Sequence, residues 1–469
     1  MNLNIILIIL NIFLIKRIFS KIKKNIIENE NNDDSIFTLI YGWNKTIFSN
    51  KKECKDCIPN KIKFSSNNEI FVNFPNWKNK DIPASLAKLD IEHNYFIPFP
   101  FEEENNIKEN DTKNQLFSVN SFEIYEDKLY ALVQGVEENS TKIIVYNISS
   151  KKGDIIHSYI FENDFISNSR LNDIVIDPKR NFAYISNGIN NFVNDEDNNS
   201  GIIVVDLNDI SSDYAKAYKI LTNHISVIPD DTYFLHIDND PIYVNNSSNV
   251  PIKIGVNGIA LTCDYSMLYF TPLSSQMIYA IKTEDIMNII ENNYENIINN
   301  NDIEILSFYK NDSSDGIIAS SNGQIYLSAL EKNSIYKHPN LDEDFHTMYY
   351  LNFELLEGNN ETMWPSSLEL HDCKLYFISN QFNNYIKDKI NYDEPVYGLY
   401  NFRIYSYDVV NDENYLKGCK FYKPKYNFIN IVVYFLFIIV VIVMLSFVLL
   451  GSNRQEEFID EQMIKEIKD

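Results

Sequence analysis

The chain has 469 residues, with 41 Lys+Arg against 65 Asp+Glu and a formal net charge of −24. Polyanions are held by Lys and Arg clusters that neutralise phosphates, so this balance argues against a nucleic-acid partner. A hydrophobic share of 45%, with 31 Tyr and 30 Phe, excludes disorder over most of the length, and only 13 Gly and 14 Pro leave the turns to Asn and Asp.

Leu3 to Ile15 is a mostly apolar run the size of a signal-peptide core. Lys16, Arg17, Lys21, Lys23 and Lys24 follow it rather than precede it. Residues 1–20 therefore read as a signal sequence or an uncleaved signal anchor. Five cysteines follow, Cys54, Cys57, Cys263, Cys373 and Cys419. The CKDC at 54–57 lacks a second pair to complete a zinc site, which leaves a local disulfide or inert thiols.

Between residues 60 and 410 one unit recurs: an apolar strand, a polar turn, and a second strand opening on an aliphatic-aromatic pair. The pairs are Ile70-Phe71, Leu129-Tyr130, Ala183-Tyr184, Leu268-Tyr269, Ile325-Tyr326 and Leu375-Tyr376, their aromatic members 59, 54, 85, 57 and 50 residues apart. Four short strands with loops need roughly 40–50 residues, so each interval accommodates one propeller blade. The 85-residue interval predicts an insertion within 208–250. A third apolar segment follows most pairs: Lys142 to Tyr146, Gly201 to Leu207, Gln276 to Ile281, Ser334 to Lys337 and Phe402 to Tyr407. The fold class is all-β, a six-bladed β-propeller over residues 37–410, because radial repetition leaves only short sheet edges. The segment FTLIYGWNKTIF at 37–48 precedes the first unit and is expected to close the ring as the outer strand of the last blade. Cys263 and Cys373 fall on the same turn two blades apart, too far to bond.

If the first strand of each unit is innermost, the residues just before it lie at the mouth of the central channel. These are Asn60, Asn120, Asn172, Asn257, Asp315 and Ser366, all small and polar. The second strand returns to the same face, which brings Ser379, Asn380, Gln381 and Phe382 near Ser366 and Ser367. Amides and hydroxyls beside an aromatic ring suit a small amphipathic ligand. The same residues can instead end strands and bind water. Motifs of hydrolases, zinc proteases, dinucleotide or P-loop enzymes are absent from the sequence, and the seven His are scattered.

Residues 428–450, FINIVVYFLFIIVVIVMLSFVLL, contain one Asn, one Ser and no charge, long enough to cross a bilayer as a single-pass helix. Residues 451–469 are a short charged tail. Lys417, Lys420, Lys423 and Lys425 precede the span and Arg454, Lys465 and Lys468 follow it, so charge does not orient it. A signal sequence places the propeller on the extracellular or luminal side. Sequons such as Asn44-Lys-Thr46, Asn147-Ile-Ser149 and Asn360-Glu-Thr362 fit a glycoprotein, although a chain rich in Asn, Ser and Thr produces several by chance.

Several stretches carry a resemblance: IFVNFPNWKNKDIPASLAKL at 70–89, LNDIVIDPKRNFAYISN at 171–187, GVNGIALTCDYSMLYFTPLSSQMIYAIKT at 255–283, SDGIIASSNGQIYLSAL at 314–330, WPSSLELHDCKLYFISNQF at 364–382 and NFRIYSYDV at 401–409. In order and spacing the body resembles the Yellow and major royal jelly protein family, six-bladed propellers that are usually secreted. Where that family usually has Arg before the first-blade Trp, Asn76 precedes Trp77. The resemblance implies either binding of biogenic amines, at positions matching Ser366, Ser367, Asn380 and Phe382, or dopachrome conversion. NGIAL at 257–261 and DGII at 315–318 also look like the gluconolactonase and regucalcin pattern, which implies calcium or another divalent metal on Asn257 and Asp315. That family's first-blade Glu is missing, with Pro59, Asn60 and Lys61 in its place. The expectation is a membrane-anchored binder of an amine-like ligand or a protein partner, its candidate residues being Asn172, Asn257, Asp315, Ser366, Ser367, Asn380 and Phe382. The alternatives are an isomerase or metal-dependent hydrolase, and an adhesion or scaffold protein.

Overall fold

In a computed structural model, residues 36–409 are described apart from 79–80, 106–113, 136, 151, 167–168, 189–199, 245–248, 293–302, 321–323 and 339–352. The chain divides into two units, Met1–Cys419 and Lys420–Asp469, and the described residues belong to the first. The predicted segments 1–20, 428–450 and 451–469 lie outside the described residues. Among the described residues no helix is long and apolar enough to cross a membrane.

β-Branched and aromatic residues alternate along short runs, and Asn or Asp at positive φ turns the chain between many of them, as at Asn68, Asn181 and Asp372. Six four-stranded antiparallel sheets result. Their first strands are Ile62–Phe64, Val119–Tyr125, Leu171–Asp177, Val256–Leu261, Ile317–Ala319 and Pro365–His371, which open blades 1 to 6. Each first strand touches that of the next blade, and the sixth touches the first, so these strands line the hub of a closed ring. They pack so tightly there that a Cβ at Gly258 would stand 2.5 Å from the Asp315 carbonyl oxygen. The last blade takes its outer strand from the start of the chain: Thr38–Trp43 pairs antiparallel with Phe402–Asp408, Thr38 opposite Ser406 and Trp43 opposite Phe402. The predicted closure is realised, and the two ends of the ring leave on the face opposite the start of the first strands.

The core is a set of seams between blades. Phe71 packs with Val119 and Phe122 between blades 1 and 2, Tyr130 with Leu171 and Ile174 between 2 and 3, and Tyr184 with Ile259 and Leu268 between 3 and 4. Tyr269 joins Ile317 and Ile325 between blades 4 and 5, Tyr326 joins Leu368 and Phe377 between 5 and 6, and Tyr376 flanks Ile62 between 6 and 1. The repeated aromatic is therefore the plug that each second strand drives into the seam with the following blade. Burying one such ring is worth about 1.5–3 kcal/mol. Phe37 completes the last closure against Phe377 at 5.0 Å and Tyr407 at 6.2 Å.

The insertion differs from expectation at its start. Lys216–Ile220 pairs with Gly201–Asp206 as the fourth strand of blade 3, so the extra chain begins after it. It carries a small hairpin, His236–Ile237 with Asp240–Pro241, and seats Leu235, Ile237, Ile242 and Ile252 against Leu273, Leu330 and Trp364. Cys54 and Cys57 form a disulfide, whereas Cys263 and Cys373 are not bonded to each other.

Candidate functional site at the propeller mouth

The inner strands of blades 2, 3, 4 and 6 each carry a register shift near their start, between Val119 and Ser121, Leu171 and Ile174, Val256 and Gly258, and Ser366 and Leu368. A bulge places an unpaired residue on the strand and re-aims its side chain. Asn120, Asn172 and Asn257 occupy these positions, and with Asn60 and Asp315 they line a cavity of about 670 Å³ at the mouth of the hub.

Two predicted residues fall elsewhere. The bulged residue of blade 6 is Ser367, so Ser366 aligns with Val119 and Val256, not with Asn120 and Asn257. One residue of slip exchanges the faces of a strand. Ser366 is buried; its hydroxyl donates to the Asn60 carbonyl at 3.0 Å and accepts from Asn380 Nδ2 at 3.0 Å. The Ser367 hydroxyl accepts from the Ile62 N–H at 3.1 Å. Neither serine lines the cavity; both join blade 6 to blade 1. Asn380 and Phe382 do line it. The Asn380 amide is nevertheless committed, since Nδ2 also donates to the Pro59 carbonyl and Oδ1 accepts from the Phe382 N–H, both at 3.0 Å. Asn380 thus positions the loop that carries Phe382.

The floor is rich in acceptors. Asn60 Nδ2 donates to the Asn120 carbonyl at 3.1 Å and Asn257 Nδ2 to Asp315 Oδ1 at 2.5 Å. Their side-chain oxygens, and the whole Asn172 amide, have no hydrogen-bond partner among the described residues. Asp315 Oδ2 accepts from the Trp364 indole at 2.9 Å. Burial, reinforced by Asp173 nearby, outweighs these donors and pushes the Asp315 pKa up to about 6.

The wall on blades 6 and 1 is aromatic. Phe382 packs against Trp77 at 4.8 Å, Trp364 at 5.2 Å and Tyr385 at 6.3 Å between ring centroids. Lys78 lies 4.0 Å from the Tyr385 ring centroid and pairs with Asp388 at 2.5 Å. Trp364, Ser367 and Gln381 all hold positive φ, backbone strain of about 1–3 kcal/mol each concentrated on this side of the cavity. Val244 and Ile254, from the insertion, add an apolar rim.

Further along the inner strands, the hub is filled by charge. Lys61 Nζ donates to Asp173 Oδ1 at 2.6 Å, Ser121 Oγ at 3.2 Å and the Ile174 carbonyl at 3.2 Å. Lys63 bridges Glu123 at 2.9 Å and Glu369 at 2.7 Å. Burial opposes the Lys63 ammonium, but Glu123 and Glu369 outweigh it and hold its pKa above the usual lysine value; burial raises that of Glu369.

Sequence reasoning missed Trp77, Trp364, Lys78, Arg170 and this charged layer. A usable signal existed for two of them, because the chain has only 3 Trp and two line the cavity. The donor set does not suit calcium: among the described residues Asp315 is the one carboxylate on the cavity, it shares its oxygens with Asn257 and Trp364, and no three His, Cys, Asp or Glu side chains come together.

A closed ring of six sheets around a hub, with a half-apolar, half-amide cavity at one mouth, defines a six-bladed propeller with a small-molecule-sized site. The family model for major royal jelly protein matches residues 131–414, more than half of the chain, and the chain belongs to that family. Among curated proteins no match is found. Solved structures with similar chains include a luciferin-regenerating enzyme, at 10% identity over 75% of this chain and 91% of that one with a TM-score of 0.41. Regucalcin from Agrobacterium tumefaciens, a calcium-binding protein, has 10% identity over 75% and 90%, with a TM-score of 0.39. Virginiamycin B lyase from Staphylococcus aureus, with quinupristin, has 14% identity over 71% and 94%, with a TM-score of 0.38. Likenesses this distant carry no argument about activity.

Proposed function

We propose that this protein is a membrane-tethered, exported propeller that binds a small aromatic amine at its mouth. The observation that carries the reading is the juxtaposition of an acceptor-rich floor, Asn60, Asn172, Asn257 and Asp315, with the aromatic wall of Trp77, Trp364 and Phe382. An ammonium group is only a donor and finds acceptors at such a floor in the Asn60, Asn172 and Asn257 oxygens and the Asp315 carboxylate, while a flat ring is buried against the wall. The tether is the apolar segment 428–450, and the Cys54–Cys57 disulfide suits an oxidising extracellular or luminal compartment.

The test is calorimetric titration of the full-length protein in detergent with tyramine and tryptamine, with the matching neutral phenol and indole as controls. Saturable one-to-one binding of the amines that the controls lack, weakened in Phe382→Ala, is the expected result. Amines that bind no better than the controls overturn the reading. A second reading, proton transfer within a dopachrome-like substrate, is favoured by Asp315, whose pKa of about 6 suits an acid-base group; turnover lost in Asp315→Asn would replace the binder by an enzyme. A scaffold whose ring surface docks another protein predicts no small-ligand affinity.

A further inference from the structure

The cavity carries charges of both signs, and a simple amine uses only one. Arg170 immediately precedes the inner strand of blade 3 and lines the same cavity as Asp315. In a ring of six, blade 3 stands opposite blade 6, so Arg170 and the wall built by Trp364 and Phe382 belong to opposite sides of the mouth. Asp315, on blade 5, and Asn257, on blade 4, lie between these two poles. The three chemistries, apolar ring, acceptor and guanidinium, are thus distributed around one space instead of stacked on one side. Lys78, the other cation on the cavity among the described residues, sits on the aromatic side and is held by Asp388 and by the Tyr385 carbonyl.

Resting on the amine-binding reading, we infer that the ligand is a free aromatic α-amino acid, and that Arg170 is the residue distinguishing it from the decarboxylated amine. Its ring lies against Phe382 and Trp364, its ammonium is received by Asp315 and the Asn257 oxygen, and its carboxylate meets the guanidinium. The two charges of the zwitterion then answer the two charges of the cavity. A guanidinium matches a carboxylate in two parallel hydrogen bonds, which a lysine ammonium does not reproduce. Arg170 Nη1 donates to the Ser169 carbonyl at 3.2 Å, its backbone N–H to Asn187 Oδ1 at 2.7 Å, and the residue has further interactions. These steady it, and its five N–H groups give it capacity for a carboxylate as well. A volume of about 670 Å³ lies within the range of small-molecule sites, roughly 300–1,000 Å³, and has room for such a ligand.

The experiment compares free tyrosine and tryptophan with tyramine and tryptamine on the full-length protein in detergent, for the native chain, Arg170→Gln and Arg170→Lys. A charge-assisted bond to the carboxylate predicts that the amino acids bind about 10–100-fold more tightly than their amines. Arg170→Gln is expected to remove that advantage, the amino acids losing about 10–100-fold in affinity relative to tyramine, with far-UV circular dichroism showing that the variant is folded. Arg170→Lys is expected to recover part of it. Amines binding as tightly as amino acids, or Arg170→Gln weakening both alike, overturns this inference and leaves amine binding standing. If neither class binds the native chain, the underlying reading falls as well.

Discussion

The charged layer beneath the cavity gives the most demanding test of the fold. Lys61 to Met keeps the length and volume of the side chain and removes its charge and its three hydrogen bonds to Asp173, Ser121 and the Ile174 carbonyl. What remains is one ammonium, on Lys63, for Glu123, Glu369 and Asp173. Removing one member of a buried ion pair costs about 3–5 kcal/mol because its partner stays behind without compensation. The Asp173 side chain is 21% exposed, so water offsets part of this and the expectation is near the lower end, about 3 kcal/mol. The double variant Lys61→Met with Asp173→Asn removes both charges and should return to within about 1 kcal/mol of the native chain. Urea unfolding of the full-length protein, followed by tryptophan fluorescence and far-UV circular dichroism, measures both. A single variant within about 1 kcal/mol of the native chain, or a double variant no better than the single, refutes the claim that the hub depends on paired charge.

Asp315 has an ordinary pKa of 3.8 and is raised to about 6 when folded, so its contribution to stability is fully present below 3.8 and is lost as pH rises through 6. Asp315→Asn, which cannot ionise, should therefore gain stability relative to the native chain between pH 4 and pH 7; an equal difference at both pH values counts against burial of this carboxyl. Asn380→Ala should act on stability, costing about 1–3 kcal/mol through the unpaired Pro59 carbonyl and Phe382 N–H, whereas Phe382→Ala should act on amine affinity. Thermal melts paired with titrations separate the two, and the same pattern in both variants would contradict the division of roles. Phe37→Ala opens the closure of blade 6 and should cost about 3–5 kcal/mol; limited proteolysis is expected to cut first near Thr38–Trp43, and cleavage elsewhere would count against closure by this strand.

What the sequence made legible follows from what the fold repeats. Each blade must plug its seam with the next, and the residue that does so stands at one place on each second strand, from Phe71 to Tyr376; a requirement met six times leaves a periodic mark. The same holds for closure by 37–48, an apolar strand left without a unit of its own. The hub obeys no such repetition. Lys61, Lys63, Glu123, Asp173 and Glu369 alternate with apolar residues along short strands, a pattern that locally cannot be told from a solvent-facing strand surface, and only the ring turns that face inward. The slip at Ser366 has a related cause, since a bulge adds one residue that periodicity cannot see.

The cavity combines both kinds of information. Its amide floor comes from a repeated position, so Asn60, Asn120, Asn172, Asn257 and Asp315 could be found by aligning units. The rest of its lining breaks the repeat: Trp77 and Trp364 in loops of blades 1 and 6, Val244 and Ile254 in the insertion, and Arg170 on blade 3. On the proposed reading, the repeated residues build the socket and the unrepeated ones select its occupant. Exchanging floor residues should therefore weaken every ligand, whereas exchanging Arg170 or Trp77 should change which ligand is preferred.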